Sequence, residues 1–114
     1  MTPNTRAERL RRAIANLVDN ALRYAGEPVE LRTRAARGAA IVEVLDRGPG
    51  VPAAEAERLK RPFTRLDPSR GGAGGAGLGL AIVERVARAH RGTLDLLPRE
   101  GGGLIARITL GLAP

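Results

Sequence analysis

The sequence contains no cysteine and no tryptophan. Without cysteine there is neither a disulfide framework nor a thiolate metal site, which fits a cytoplasmic setting. Tyrosine and phenylalanine occur once each, and aromatics total 2% of the chain. Any core must therefore be built from Leu, Val, Ile and Ala. The same scarcity leaves little for base stacking, and no helix-turn-helix signal is evident, so nucleic acid is not the expected partner. No apolar run approaches the roughly 20 residues that a membrane-spanning helix needs, and the N-terminus lacks a signal-peptide core. A soluble piece making no membrane contact of its own is the expectation.

Acidic residues are also short, 12 against 19 basic ones, for a net charge of +7. Such an excess suits a polyphosphate ligand, an acidic protein or nucleic acid, and arises equally when Arg is spread over solvated faces. Charge alone selects none of these. Histidine occurs once, as His90 in Ala-His-Arg-Gly, where the negative end of a helix accounts for it.

What is present is 114 residues, 43% of them apolar, enough for one domain (residues 1–114) with a modest core. From Thr5 to Ala25, Leu10, Ile14, Leu17, Val18, Ala21 and Leu22 recur at helical spacing and form one stripe. Val29–Ala35 and Ala40–Asp46 read as strands joined by an Arg37-Gly38 turn. A long connection from Arg47 to Ala76 carries one short helix, around Ala53–Lys60, and ends in a glycine-rich tail. A second amphipathic helix, about Leu78–His90, stops at Gly92. Strands Thr93–Leu97 and Leu104–Leu110 flank a Glu100–Gly103 turn. This order predicts a two-layer α/β (α+β) sandwich with helices on one face of a sheet.

Three constellations carry chemistry. On the first helix, with Asn16 at zero, Asn20 lies at about +40° and Arg23 at about −20°, so the three share a face. Amide oxygens can ligate Mg²⁺ and Arg can pair with phosphate; the same face also suits an ordinary surface helix. Tyr24, next in line, is placed either to lie against a base or to pack as a half-buried staple. The second constellation is Asp46-Arg47-Gly48-Pro49-Gly50. A carboxylate accepts but does not donate, so its natural partner is an exocyclic amine such as that of adenine; a strand-ending turn reads the same way. The third is Gly75-Ala76-Gly77-Leu78-Gly79-Leu80, where backbone N–H groups opening a helix can face an anion. It lacks the Gly-Lys-Ser/Thr of a P-loop, and the six glycines from Gly71 to Gly79 also fit a flexible linker.

In combination the segments narrow the reading. Asn-Leu-Val-Asp-Asn-Ala, Asp-Arg-Gly-Pro-Gly, Arg-Pro-Phe-Thr-Arg and Gly-Ala-Gly-Leu-Gly-Leu-Ala-Ile-Val follow one another in an order that resembles the N, G1, F and G2 boxes of sensor histidine kinases. The resemblance runs from about Ala7 to Leu110 and is similar above all to the osmosensing kinases. It implies a Bergerat-type sandwich with a mixed β-sheet and a flexible ATP lid. It implies ATP and Mg²⁺ as cofactors, with Asn20 on the metal, Asn16 assisting, and Arg23 on phosphate. Tyr24 would pack on adenine and Asp46 would accept from its amine, with Gly48 and Gly50 shaping that pocket. Phe63 would anchor the lid, Arg65 or Arg70 would reach the γ-phosphate, and Gly75, Gly77, Leu78 and Gly79 would lie beside the phosphates.

The resemblance also sets expectations for partners. Gyrase and Hsp90, in the same superfamily, carry a glutamate base four residues before the metal-binding asparagine. Asn16 stands there in this chain, which disfavours hydrolysis and favours transfer to a separate acceptor. The phosphoacceptor histidine belongs to a dimerisation hairpin that this chain does not contain. The expected activity is that of a histidine protein kinase catalytic domain, silent in autophosphorylation without that partner, with a response regulator downstream. The piece is expected to be monomeric and to be the cytoplasmic part of a membrane-anchored receptor. An ATP-sensing or scaffolding module without transferase activity, and an anti-sigma-type serine kinase, are the alternatives.

Overall fold

The structure is a computed structural model that describes residues 5–51, 54, 55, 60 and 76–111, with only the backbone of 76–79. Helix α1 spans Arg6–Tyr24. It begins where Thr5, in an extended conformation, accepts a hydrogen bond from the Glu8 N–H at 3.1 Å, an N-cap with an acid in the first turn. Its inward stripe is Ala13, Leu17 and Ala21, spaced by four.

Strands β1 (Glu30–Ala36) and β2 (Ala39–Leu45) form a hairpin across Arg37-Gly38. Of the expected short helix, Ala54, Glu55 and Lys60 are described, the first two helical and Lys60 in a turn; its other positions lie outside the described residues. Helix α2 spans Ala76–Ala89, and β3 (Thr93–Pro98) and β4 (Leu104–Gly111) make a second hairpin.

The sheet order is β1-β2-β4-β3. Every neighbouring pair is antiparallel, so among the described residues the sheet is not mixed as expected. Short turns make each hairpin antiparallel, and β4, inserted between β2 and β3, runs against both. The two-layer α+β architecture itself matches the expectation.

Both helices cover one sheet face. Ala13, Leu17 and Ala21 of α1 and Val83 and Ala87 of α2 join Val42, Val44, Leu94, Leu96, Ala106 and Ile108 of the sheet in one core. Fully buried Ala13 and Ala87 keep the side chains small where packing is tightest. On the opposite face, the register aligns Arg32, Glu43, Arg107 and Asp95 in one cross-strand row. There Arg107 Nε donates to the buried Glu43 carboxylate at 2.7 Å, so the buried charge is paired.

The end of α2 is locked onto β4. Gly92 N–H donates to the Ala87 carbonyl at 2.8 Å and Gly111 N–H to the His90 carbonyl at 2.9 Å. A Cβ at Gly92 would stand 1.5 Å from the Thr109 carbonyl oxygen. The helix stops at this position because only glycine lets it meet the strand. His90 Nδ1 lies 3.0 Å from the Val86 carbonyl oxygen, one turn back, in keeping with a structural role at the helix end.

Candidate nucleotide-binding site

A cavity of about 70 Å³ opens between α1, the end of β2 and the start of β4. Most of its wall is apolar: Leu17 and Ala21 from α1, Val44 from β2, Val51, Leu80 from α2, and Leu104 and Ala106 from β4. Two polar residues, Asn20 and Asp46, enter that wall, with Tyr24 at its side.

Asp46 follows directly on β2 and is 6% exposed. Burying a carboxylate is costly unless hydrogen bonds compensate. Its Oδ1 accepts from Gly48 N–H at 2.9 Å and from Leu104 N–H at 3.2 Å. No donor among the described residues reaches Oδ2. One oxygen is thus occupied by the backbone, which fixes the carboxylate plane, and the other keeps its capacity to accept a hydrogen bond.

Two glycines make this packing feasible. A Cβ at Gly48 would lie 2.5 Å from the Ala25 Cβ, and one at Gly103 would lie 2.0 Å from the Asp46 carbonyl oxygen. The loop after β2 is therefore pressed between the end of α1 and the β3–β4 turn. Arg47 Nη1 donates to the Glu100 and Gly102 carbonyls at 2.9 and 3.1 Å, and Arg99 Nη1 donates to the Asp46 carbonyl at 3.2 Å.

Asn20 supplies the second polar group. Its Nδ2 is buried and has no hydrogen-bond partner among the described residues. A buried amide in that condition costs about 1–3 kcal/mol, so the position calls for a ligand. A half-turn about the last side-chain bond exchanges the amide N and O. The group can thus offer a donor to phosphate or an oxygen to a hard cation, and the latter chemistry fits Mg²⁺.

Known proteins share this fold and sequence. The family model described as histidine kinase-, DNA gyrase B- and HSP90-like ATPase matches residues 5–114. The chain belongs to this ATPase family. Among its sequence relatives, the sensor protein CutS of Streptomyces coelicolor is 50% identical over 105 residues, covering 89% of this chain and 25% of CutS. Among solved structures, the mycobacterial sensor histidine kinase MprB superposes with a TM-score of 0.79 at 32% identity, over 95% of this chain and 73% of that one. The ATP-binding domain of PrrB from Mycobacterium tuberculosis gives 0.74 at 28% identity, over 93% and 69%. The chain spans about a quarter of the length of the sequence relatives it matches. Those relatives are named as sensor proteins or, as with CpxA of Escherichia coli, sensor histidine kinases, and the region they share with this chain is the ATPase domain.

Within this ATPase fold, the structure brings Asn20, Tyr24, Asp46 and Gly50 to one cavity, with Gly48 hydrogen-bonded beside it. Asn16, half-exposed, and Arg23, exposed, sit on α1 outside the cavity wall. Phe63, Arg65, Arg70 and Gly75 lie outside the described residues. Gly77, Leu78 and Gly79 were expected to precede or just open the second helix, and they fall inside the first turn of α2, which starts at Ala76. Glycine within a helix costs about 1 kcal/mol relative to alanine, and the helix forms there nonetheless. Leu80, on the next turn, lines the cavity, so that end of α2 abuts the site.

Other contributors to the site carried no signal in the sequence. The apolar wall from Leu17, Val44, Leu104 and Ala106 is indistinguishable by pattern from ordinary core. Arg47 and Arg99 are 52 positions apart, and only the fold makes them neighbours of the same loop. Lys60 donates to the Leu94 carbonyl at 2.8 Å and lies 3.7 Å from Glu84. Lys60 itself thus bridges β3 and α2.

Proposed function

We propose that this domain binds Mg-ATP in the cavity and donates the γ-phosphate to a histidine on a separate dimerisation domain, in two-component signal transduction. One observation carries the nucleotide reading: a buried Asp46 whose Oδ1 is tied to two backbone N–H groups while Oδ2 is left to accept. An apolar slot with one fixed acceptor selects a flat base bearing an exocyclic amine, as adenine does. Tyr24 flanks the base, with Gly48 and Gly50 keeping the loop close.

Asn20 would hold Mg²⁺ through its amide oxygen, and the cation would neutralise charge on the phosphates. Asn16 and Arg23 extend the polar face of α1 past the cavity towards the phosphates. The first turn of α2, with Gly77, Leu78 and Gly79, would present N–H groups to them, with Gly75 just before it in sequence. Phe63, Arg65 and Arg70 complete the set on the connecting segment. Asn16, four residues before Asn20, offers no general base to activate water, so the domain's task is to position the nucleotide for an acceptor supplied elsewhere.

The domain, residues 1–114, acts on this reading as the cytoplasmic catalytic piece of a longer receptor, passing phosphate to a response regulator through its hairpin. No described helix is long and apolar enough to cross a membrane. Calorimetric titration of the chain with ATP, with and without Mg²⁺, tests the proposal. Binding that strengthens with Mg²⁺, followed by phosphate transfer to a separately added histidine hairpin domain, is the expected result. A flat titration in both conditions overturns it.

A further inference from the structure

The β3–β4 turn is joined to the base-binding loop more tightly than a surface hairpin requires. Arg99, just past the end of β3, has a side chain only 10% exposed. Its Nη1 donates to the Asp46 carbonyl at 3.2 Å and its Nη2 to Glu30 Oε1 at 2.6 Å. Its own backbone closes the turn: the Arg99 N–H donates to the Gly103 carbonyl at 3.1 Å, and its carbonyl accepts from Gly102 N–H at 2.9 Å. Arg47 makes the reciprocal connection, from the loop to the turn's Glu100 and Gly102 carbonyls.

We propose that Arg99 is a positioning residue for nucleotide-base recognition, holding Asp46 through its main chain from outside the cavity wall. The inference rests on the reading of Asp46 as the base acceptor. The physical argument is that Asp46 is held from both sides of this turn, by Arg99 just after β3 and by Leu104 at the start of β4. Leu104 N–H holds its Oδ1, and Arg99 holds its carbonyl. A carboxylate that must present Oδ2 to an amine depends on its plane, and that plane depends on where Leu104 N–H stands. With Arg99 in place, the turn, the carbonyl and the carboxylate move as one unit. A guanidinium can grip the Asp46 carbonyl and Glu30 at once because its donors form a fixed fork. An ammonium in the same place reaches one partner at a time.

The contact to Glu30, whose side chain is about half exposed (48%), holds the guanidinium from the solvent side. The bond to the Asp46 carbonyl is the half that reaches the loop carrying the carboxylate. The effect should therefore appear in how the base is read rather than in how the phosphates are held.

The test is calorimetric titration of the intact chain with adenosine, ATP and GTP, for wild type, Arg99→Met, Arg99→Lys and Arg47→Met, with melting followed on each sample. Loss of one charge-assisted hydrogen bond at the site predicts about tenfold weaker binding of both adenosine and ATP in Arg99→Met. The ATP-over-GTP preference should shrink in the same variant. Arg99→Lys should recover part of that preference, and Arg47→Met should weaken adenosine in the same direction by a smaller factor. A purely structural brace would lower the melting temperature and leave the ATP-over-GTP ratio untouched, and that result overturns the proposal. Should Arg99→Met not fold, the ratio in Arg99→Lys and Arg47→Met decides, an unchanged ratio in both overturning it. If wild type binds no adenine nucleotide, the base-acceptor reading falls first and the positioning role with it. If wild type binds and the variants match it, the positioning role alone falls.

Discussion

Asp46 and Leu104 exchange two hydrogen bonds: the Asp46 N–H donates to the Leu104 carbonyl at 3.0 Å, and the Leu104 N–H donates to Asp46 Oδ1 at 3.2 Å. The first continues the β2–β4 ladder by one rung past Leu45. The second replaces a main-chain acceptor with a side-chain one, so the sheet itself ends by gripping the carboxylate. A turn-forming aspartate needs no such partner from a distant strand; the proposed role as base acceptor, which depends on the carboxylate's orientation, does.

Replacing Asp46 by Asn separates recognition from stability. The amide oxygen can keep both backbone N–H partners, while an NH₂ donor takes the place of Oδ2. The variant should melt close to wild type and bind ATP at least about 30-fold more weakly, since two donors then confront each other in a buried site. Paired calorimetry and thermal melting check both halves.

Asn20→Ala addresses the second polar group. Removing a buried amide nitrogen with no partner among the described residues relieves a penalty of about 1–3 kcal/mol and forfeits some packing. Stability should therefore change little. The Mg²⁺ enhancement of ATP binding should disappear, seen as titration curves that coincide with and without the cation.

The junction of α2 and β4 should respond in opposite directions to two substitutions. Gly92→Ala drives a methyl into the Thr109 carbonyl and should cost roughly 3 kcal/mol or more, beyond ordinary overpacking. Arg91 holds φ at +60°, a region that side chains disfavour by about 1–2 kcal/mol. Arg91→Gly should raise stability by about 0.5–1 kcal/mol after glycine's added entropy cost. Chemical denaturation midpoints read both.

Acid should loosen the brace behind the site. Glu30 has its pKa lowered from the ordinary 4.5, first by the hydrogen bond from Arg32 and then by that from Arg99. A carboxyl whose folded pKa is depressed contributes stability fully above its unfolded value, and loses it as pH falls through the lowered one. The contribution should be intact at neutral pH and fade below about pH 4.5. Glu30→Gln should flatten that part of the stability profile, measured by melting across pH 3 to 6.

Local pattern carried much of the fold. The stripe Leu10, Ile14, Leu17, Ala21 announced α1, Arg37-Gly38 announced the hairpin, and Gly92 announced the end of α2, because helix period, turn chemistry and caps depend on neighbours within a few residues. The order of the four boxes carried the family for the same reason. The sequence by itself therefore determined the two long helices and the four strands to within a few residues, that the core would be aliphatic, and that Asp46 and Asn20 were the groups to follow. Only the tertiary structure decided that the described sheet is antiparallel throughout, that Asn16 and Arg23 stand outside the cavity wall, and that Leu104 and Arg99 hold Asp46. Those depend on which strands lie side by side and how far a backbone can approach another. Such contacts join residues more than fifty positions apart, and no spacing along the chain encodes them.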